Sequence, residues 1–156
     1  MIEVIAVLSL KTPSYNLCAQ MQCCHVGTSI VGIVAGLHIG FTLVFPSPKF
    51  NPESSIQAII QERCSAVIGT PVMYVDLVAK VRELGITINN LEIAFIGGSM
   101  IQEVLARQII KVLATKRICP LYGMTEGVPL FFSVPEDSLE QTLTTVGRAV
   151  KYAEVQ

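Results

Sequence analysis

Apolar residues along this chain follow two patterns that alternate. In three stretches they recur at three- and four-residue spacing, the period of a helix with one buried face. Ile56, Ile59, Ile60 and then Cys64 predict a helix from Pro52 to Arg63, with Asn51 as its cap and Pro52 at its first position. Val72, Val75, Leu77, Val78, Val81 and Leu84 predict a second, opened by Thr70-Pro71 and ended by Gly85. Ile101, Val104, Leu105, Ile109 and Leu113 predict a third, from Ser99 to about Thr115. Between them stand short apolar runs of strand length: Ala66–Gly69, Leu91–Ile96 and Arg117–Leu121. Pro129–Ser133 reads as one more strand, and Glu136–Gln141 as an acidic exposed loop. Alternating strands and helices predict an α/β architecture with a mostly parallel sheet and flanking helices.

Val26–Phe45 breaks the alternation. It runs about twenty residues without a formal charge, the length of a membrane span. Gly32, Gly36 and Gly40 even stand at the four-residue spacing of close helix contacts. His38 within it, and the lack of flanking basic residues or an aromatic belt, favour a helix packed inside a core. A single membrane span through 26–45 is the alternative. Met1–Leu10 is apolar but has neither a basic leader nor a small-residue cleavage site, and suits strand or helix equally.

Composition narrows the function classes. Of 156 residues, 51% are hydrophobic and 15% charged, enough apolar material for a core. A net charge of −1 gives no electrostatic footprint for nucleic acid. Five cysteines, an odd number without framework spacing, fit reduced thiols in an intracellular protein. Cys23, Cys24 and His25 are adjacent and cannot easily converge on one tetrahedral ion.

The stretch with the most chemistry is Leu121-Tyr122-Gly123-Met124-Thr125-Glu126-Gly127. A ring can stack on a base, a glycine admits close backbone approach, a threonine can donate to phosphate and a glutamate can hold Mg2+. The plain alternative is a turn whose Thr–Glu pair caps a following helix. Gly97-Gly98, between a predicted strand and a predicted helix, brings backbone N–H groups to a ligand or is simply a tight turn.

Tyr122-Gly123-Met124-Thr125-Glu126 resembles the Y-G-x-T-E motif of the adenylate-forming superfamily, which includes the acyl-CoA synthetases, luciferases and peptide-synthetase adenylation domains. Gly69-Thr70-Pro71-Val72-Met73-Tyr74-Val75-Asp76 resembles the G-T-P-T-M-F-x-D segment of the branch called acyl-CoA synthetase family member 2. Gly97-Gly98-Ser99 resembles the family's glycine-rich turn, and Val146-Gly147-Arg148 its V-G-R. Gly40-Phe41-Thr42-Leu43-Val44-Phe45 is similar to its turn into a strand, which follows a glycine-rich helix. Counting back without a gap, His25 falls on the histidine of P-[LF]-[FY]-H, although Gln22-Cys23-Cys24 replace the rest of that motif. The plain reading of His25 is a helix-start histidine with one nitrogen satisfied.

The resemblance implies an incomplete piece of the acyl-CoA synthetase-like N-terminal domain over 17–156, with 1–16 unassigned. The family activates a carboxylic acid with ATP to an acyl-adenylate, then transfers the acyl group to coenzyme A. By resemblance Tyr122 packs on adenine and Thr125 meets the AMP phosphate. Gly97, Gly98, Ser99, Gly123 and Met124 line the nucleotide site, His25 the acyl pocket, and Glu126 binds Mg2+. No residue is assigned as catalytic. The family's phosphate loop, ribose-binding aspartate and catalytic lysine have no match here, which implies that this chain alone is inactive. Its small-molecule partners would be ATP, fatty acid and coenzyme A. A non-catalytic interaction module with a protein partner is the alternative. The branch is typically mitochondrial, with the cytoplasm as the other compartment, and acyl chain length is left open.

Overall fold

The computed structural model describes residues 15–150, 153 and 154; Met1–Leu10, unassigned above, lies outside them. The chain forms β1 (Asn16–Ala19), a π-helix (Gly27–Val34) running directly into α1 (Ala35–Ile39), β2 (Thr42–Val44), α2 (Pro52–Gln61), β3 (Ala66–Gly69), α3 (Pro71–Leu84) and β4 (Ile93–Gly97). It continues through α4 (Glu103–Val112), β5 (Arg117–Met124), β6 (Gly127–Phe132), α5 (Leu139–Thr144) and β7 (Arg148–Ala149). The strands make one seven-stranded sheet in the order β2-β1-β3-β4-β5-β6-β7. From β2 to β5 all neighbours are parallel; β6 and β7 add an antiparallel edge. The expected α/β class with a mostly parallel sheet is therefore what the chain adopts.

Side-chain alternation along the central strands sorts the core into two layers. Cys18, Val67, Ala94, Ile96 and Ile118 face α2, α3 and α4, where Ile56, Ile59, Leu77, Val78, Val81, Ala106 and Ile109 close over them. Leu17, Ala19, Ala66, Ile68, Ile93, Phe95 and Cys119 face the other way, onto Val31, Ala35 and Phe41 of the π-helix segment and its turn. Tyr74 of α3 is fully buried, and its hydroxyl lies 3.0 Å from Val67 O and 2.9 Å from Phe95 O, so one side chain staples β3 to β4. Burial pushes that phenol well above its ordinary pKa, so it stays a donor.

Helix ends follow the local chemistry. Asn51 Oδ1 accepts from Ser54 N at 2.8 Å with Pro52 opening α2, as the sequence indicated. Thr70 occupies the cap position of α3 but makes no side-chain cap bond, and Gly85 ends that helix at φ +61°. Val26–Phe45 is the π-helix, α1, a left-handed turn at Gly40 and β2. No helix among the described residues is long and apolar enough to cross a membrane, which removes the single-span alternative. The π geometry is explicit where Ala35 N–H reaches back five residues to Ile30 O.

Four expectations need correction. The helix expected from Ser99 starts only at Glu103, because Gly98 turns the chain at φ +88° and Ile101 is buried from an extended segment. Val104, counted on the inner face, is exposed. The acidic stretch 136–141 is loop only to Ser138, which accepts from Gln141 N while Gln141 Oε1 accepts from Ser138 N, a reciprocal cap that starts α5. Finally, Thr125-Glu126 caps no helix. Met124 pairs with Gly127, so these two residues are the tip of the β5–β6 hairpin.

Candidate functional site

The strand order reverses direction at β1: the chain goes outward to β2, returns through α2, and then builds β3, β4 and β5 on the opposite side. In open parallel sheets such a reversal leaves a crevice at the carboxyl ends of the strands, where the two following connections diverge. Here the connections are Gln20–Val26 into the π-helix and Thr70-Pro71 into α3. Gly97-Gly98 at the end of β4 and Tyr122-Gly123 near the carboxyl end of β5 extend the same edge.

Two clefts open along this edge. The first encloses about 180 Å3 and is lined by Met21, His25, Val26, Gly27, Val31, Ile68, Gly97 and Gly98, then by Leu121–Thr125 and Pro129. The second encloses about 280 Å3 between Gly98–Ile101, Pro120–Gly123 and Thr142–Val146. Gly98, Leu121, Tyr122 and Gly123 line both, so the end of β5 is the wall between them. Among the described residues, no Lys, Arg, Asp or Glu lines either cleft.

Of the residues singled out from the sequence, the first cleft brings together His25, Gly97, Gly98, Tyr122, Gly123, Met124 and Thr125. Ser99 lies only in the second cleft, beside Gly98 and Tyr122. Glu126 lines neither and is exposed at the hairpin tip. Tyr122 is 48% exposed, and its ring meets Phe131 of β6 edge-on with centroids 5.8 Å apart. At Gly123 a Cβ would stand 3.0 Å from Gly127 O and 3.3 Å from Pro129 Cα, so the hairpin closes this tightly only around glycine.

His25 sits just before the π-helix, with its Nδ1 accepting from Gly27 N at 3.0 Å and its carbonyl accepting from Thr28 N and Ser29 N at 2.9 Å. In the neutral ring that bond assigns the proton to Nε2, which remains a donor for the cleft. It is thus both a helix-start residue with one nitrogen satisfied and a lining residue of the cavity. Beneath the site, burial pushes the Cys119 thiol up to about 11, and its Sγ donates to Ser133 O at 3.3 Å. It is a neutral core thiol, with no thiolate chemistry to offer.

Several lining residues carried no signal in the sequence. Met21, Ile68 and Pro129 read as ordinary apolar positions. Thr142–Val146 were within reach, because the Ser138–Gln141 spacing is that of a capping box and announces the helix that delivers them.

The family model for the AMP-binding enzyme matches residues 3–156. The chain belongs to that family. This AMP-binding family chain is 33% identical over 133 residues to the medium-chain acyl-CoA ligase ACSF2, mitochondrial, of Rattus norvegicus, an alignment covering 85% of this chain and 22% of that protein. The chain thus spans about a fifth of the length of such relatives. Among solved structures it is similar to Mycobacterium smegmatis MbtA (TM-score 0.81, 18% identity, 96% of this chain and 27% of that one). It is equally similar to MatB from Rhodopseudomonas palustris, solved with ATP bound (TM-score 0.80, 18% identity, 96% of this chain and 28% of that one). The seven-stranded sheet with its flanking helices is accordingly the adenylate-forming ligase fold of the N-terminal domain.

For a divalent ion, the carboxylate that adjoins a cleft-lining residue in sequence is Glu126, next to Thr125. Among the described residues no three His, Cys, Asp or Glu gather as a metal cage. A lone carboxylate fits Mg2+ that arrives on a nucleotide's phosphates, since that ion takes one or two carboxylates and completes its shell with phosphate and water.

Proposed function

We propose that this chain is the acyl-adenylate-holding segment of an ATP-dependent fatty acid-CoA ligase. The observation that carries the reading is the shared wall: one strand end, Leu121-Tyr122-Gly123, separates two neighbouring clefts at the carboxyl edge of the sheet, the smaller bounded by Met21, Val31, Ile68 and Pro129 and the larger by Ser99, Thr142, Thr144 and Thr145. An acyl-adenylate has the same two-part character, an apolar tail and a nucleotide joined at one reacting carbon.

In this reading adenine lies in the larger cleft, against the Tyr122 ring and the Gly98-Ser99 backbone. The acyl tail enters the smaller one. Gly97 and Gly123, without side chains, let the mixed anhydride pass between them. Thr125 donates to the AMP phosphate, and Met124 covers the tail. His25 Nε2–H faces the carboxylate, where it donates to and positions the oxygen that attacks the α-phosphate. Mg2+ held through Glu126 and the phosphates would neutralise charge on the departing pyrophosphate. Coenzyme A then takes the acyl group through its thiol and AMP leaves. The relatives' mitochondrial names support the same compartment for this protein.

Charge sets a limit on the chain alone. Expelling pyrophosphate needs cationic groups poised on the leaving oxygens, and among the described residues no Lys or Arg lines either cleft. The 156-residue chain is therefore expected to bind but not to turn over. Calorimetric titration with AMP tests the binding half: Tyr122→Ala should weaken it by at least about fivefold, the loss of one base–aromatic stack. ATP–pyrophosphate exchange with hexanoate tests the other half, with no exchange expected. Absence of AMP binding by the unaltered chain would refute the reading.

A further inference from the structure

The chemistry proposed for the clefts leaves Cys23 and Cys24 unused. Of the five cysteines, Cys18, Cys64 and Cys119 are buried, whereas Cys23 and Cys24 are exposed and free. They occupy the two corner positions of a β-turn, closed where His25 N donates to Gln22 O at 3.0 Å. Cys24 Sγ donates to Gln22 Oε1 at 3.8 Å, within the same turn. Neighbouring side chains point to opposite faces of a strand and do not face each other on a helix. At the corner of a turn they can converge, so two adjacent thiols can react there as a pair.

Covalent geometry sets the character of that pair. Adjacent Cα atoms stand about 3.8 Å apart across a trans peptide. Unstrained disulfides span roughly 4.4–6.8 Å between Cα atoms. A bond between these two sulfurs is therefore strained, and strained or exposed disulfides are the readily reduced ones. A permanent staple does not fit this turn; a reversible oxidation does.

The turn also joins Met21 to His25, and both line the smaller cleft. The backbone is held on either side of it. The buried Thr28 hydroxyl donates to Met21 O at 3.0 Å, and His25 O accepts from Thr28 N and Ser29 N at 2.9 Å. With both flanks fixed, ring closure has to reshape the corner itself. The first group beyond the corner is the His25 ring, whose Nδ1 accepts from Gly27 N at 3.0 Å.

We infer that Cys23 and Cys24 form a reversible oxidation site that reacts with a small-molecule disulfide of the glutathione class and closes to a vicinal disulfide at the rim of the smaller cleft. One cysteine thiolate attacks oxidised glutathione, forming a mixed disulfide and releasing one glutathione thiolate. The neighbouring thiol gives its proton to solvent, and its sulfur displaces the second glutathione from the first cysteine. The two cysteines lose two electrons in all, and oxidised glutathione is reduced to two thiols. The site depends on the turn alone, whatever the clefts hold.

The test treats the reduced full chain with oxidised glutathione under native conditions. The chain is then denatured, its remaining thiols are alkylated, and each cysteine is assigned by fragmentation of its peptide in a mass spectrometer. Cys23 and Cys24 should lose both thiol hydrogens and carry neither glutathione nor an alkyl group, while Cys18, Cys64 and Cys119 are alkylated. Reduced glutathione should return both thiols. Cys23→Ser and Cys24→Ser, exposed replacements that leave the core untouched, should instead hold glutathione as a mixed disulfide, at least about tenfold more than the unaltered chain holds. The Gly27 amide proton should shift when the unaltered chain is oxidised, and stay in place when the double variant Cys23→Ser/Cys24→Ser is treated. A lasting glutathione adduct on the unaltered chain, oxidation only at the other cysteines, or a pair that stays reduced would overturn the inference. An unmoved Gly27 amide on a closed ring would overturn its link to the cleft.

Discussion

The ring of Phe131 meets the ring of Tyr122 edge-on, with centroids 5.8 Å apart and planes inclined at 63°. The two residues face each other across the β5–β6 pair, so the hairpin itself supplies the support for the half-exposed tyrosine. Such pairs contribute about 0.5–1.5 kcal/mol beyond area burial. Phe131→Ala should therefore leave Tyr122 free to rotate and weaken AMP binding by about two- to tenfold. Phe131→Tyr should retain it. Calorimetry on both variants checks this, and equal affinity in Phe131→Ala would deny Phe131 any part in holding the ring.

Tyr74 makes a different demand. Its buried hydroxyl is the only group of the side chain that reaches both Val67 O and Phe95 O. Tyr74→Phe keeps the ring and removes the one O–H donor that Val67 O and Phe95 O share. Urea unfolding should show a loss of about 1–3 kcal/mol. A change well under this range would mean that water replaces the hydroxyl.

Gly147 lies between the end of α5 and the start of β7, against Phe132 at the end of β6. It adopts φ +86°, and a Cβ there would fall 2.0 Å from Phe132 O. Gly147→Ala should cost at least about 1–3 kcal/mol from the backbone conformation alone, with the clash added. Thermal unfolding measures it. The V-G-R resemblance thus has a physical counterpart in backbone packing at its glycine.

At the amino end of the sheet, Lys116 donates to Glu92 at 2.8 Å and holds that carboxyl below its ordinary value, helped by the Tyr15 hydroxyl and opposed by partial burial. A folded-state pKa below the unfolded one contributes stability that is present above the unfolded value and lost as pH falls through the folded one. Stability should thus decline below about pH 4.3, and Glu92→Gln should flatten that part of the profile. The effect is small, because both partners face solvent.

Local chemistry made much of the fold legible in the sequence. Asn51-Pro52 and Gly85 marked helix ends correctly because caps depend on neighbouring residues only. The strands Ala66–Gly69 and Arg117–Leu121 were visible as apolar runs because both of their faces are buried. Ser99–Gln102 misled because Ile101 is buried without being helical, a matter of tertiary packing that periodicity does not register. The π-helix was invisible for the same reason: Gly27–Val34 has the composition of any core helix. In the candidate site, Gly97-Gly98 and Tyr122-Gly123 could be placed at one sheet edge from strand order, although β5 runs on through Tyr122-Gly123 to Met124. The parting of Ser99 and Thr125 into separate clefts could not, since it depends on where β5 ends in space.

The most direct measurement is amide-resolved NMR of the isotopically labelled chain titrated with hexanoyl-sulfamoyl adenosine. Shifts should change together at Gly98, Ser99, Tyr122 and Gly123 for the nucleotide, and at Met21, Gly27 and Val31 for the tail, with AMP alone moving only the first group. Saturable shifts confined to other faces of the sheet, or none at millimolar ligand, would contradict the assignment of the two clefts to the two halves of an acyl-adenylate.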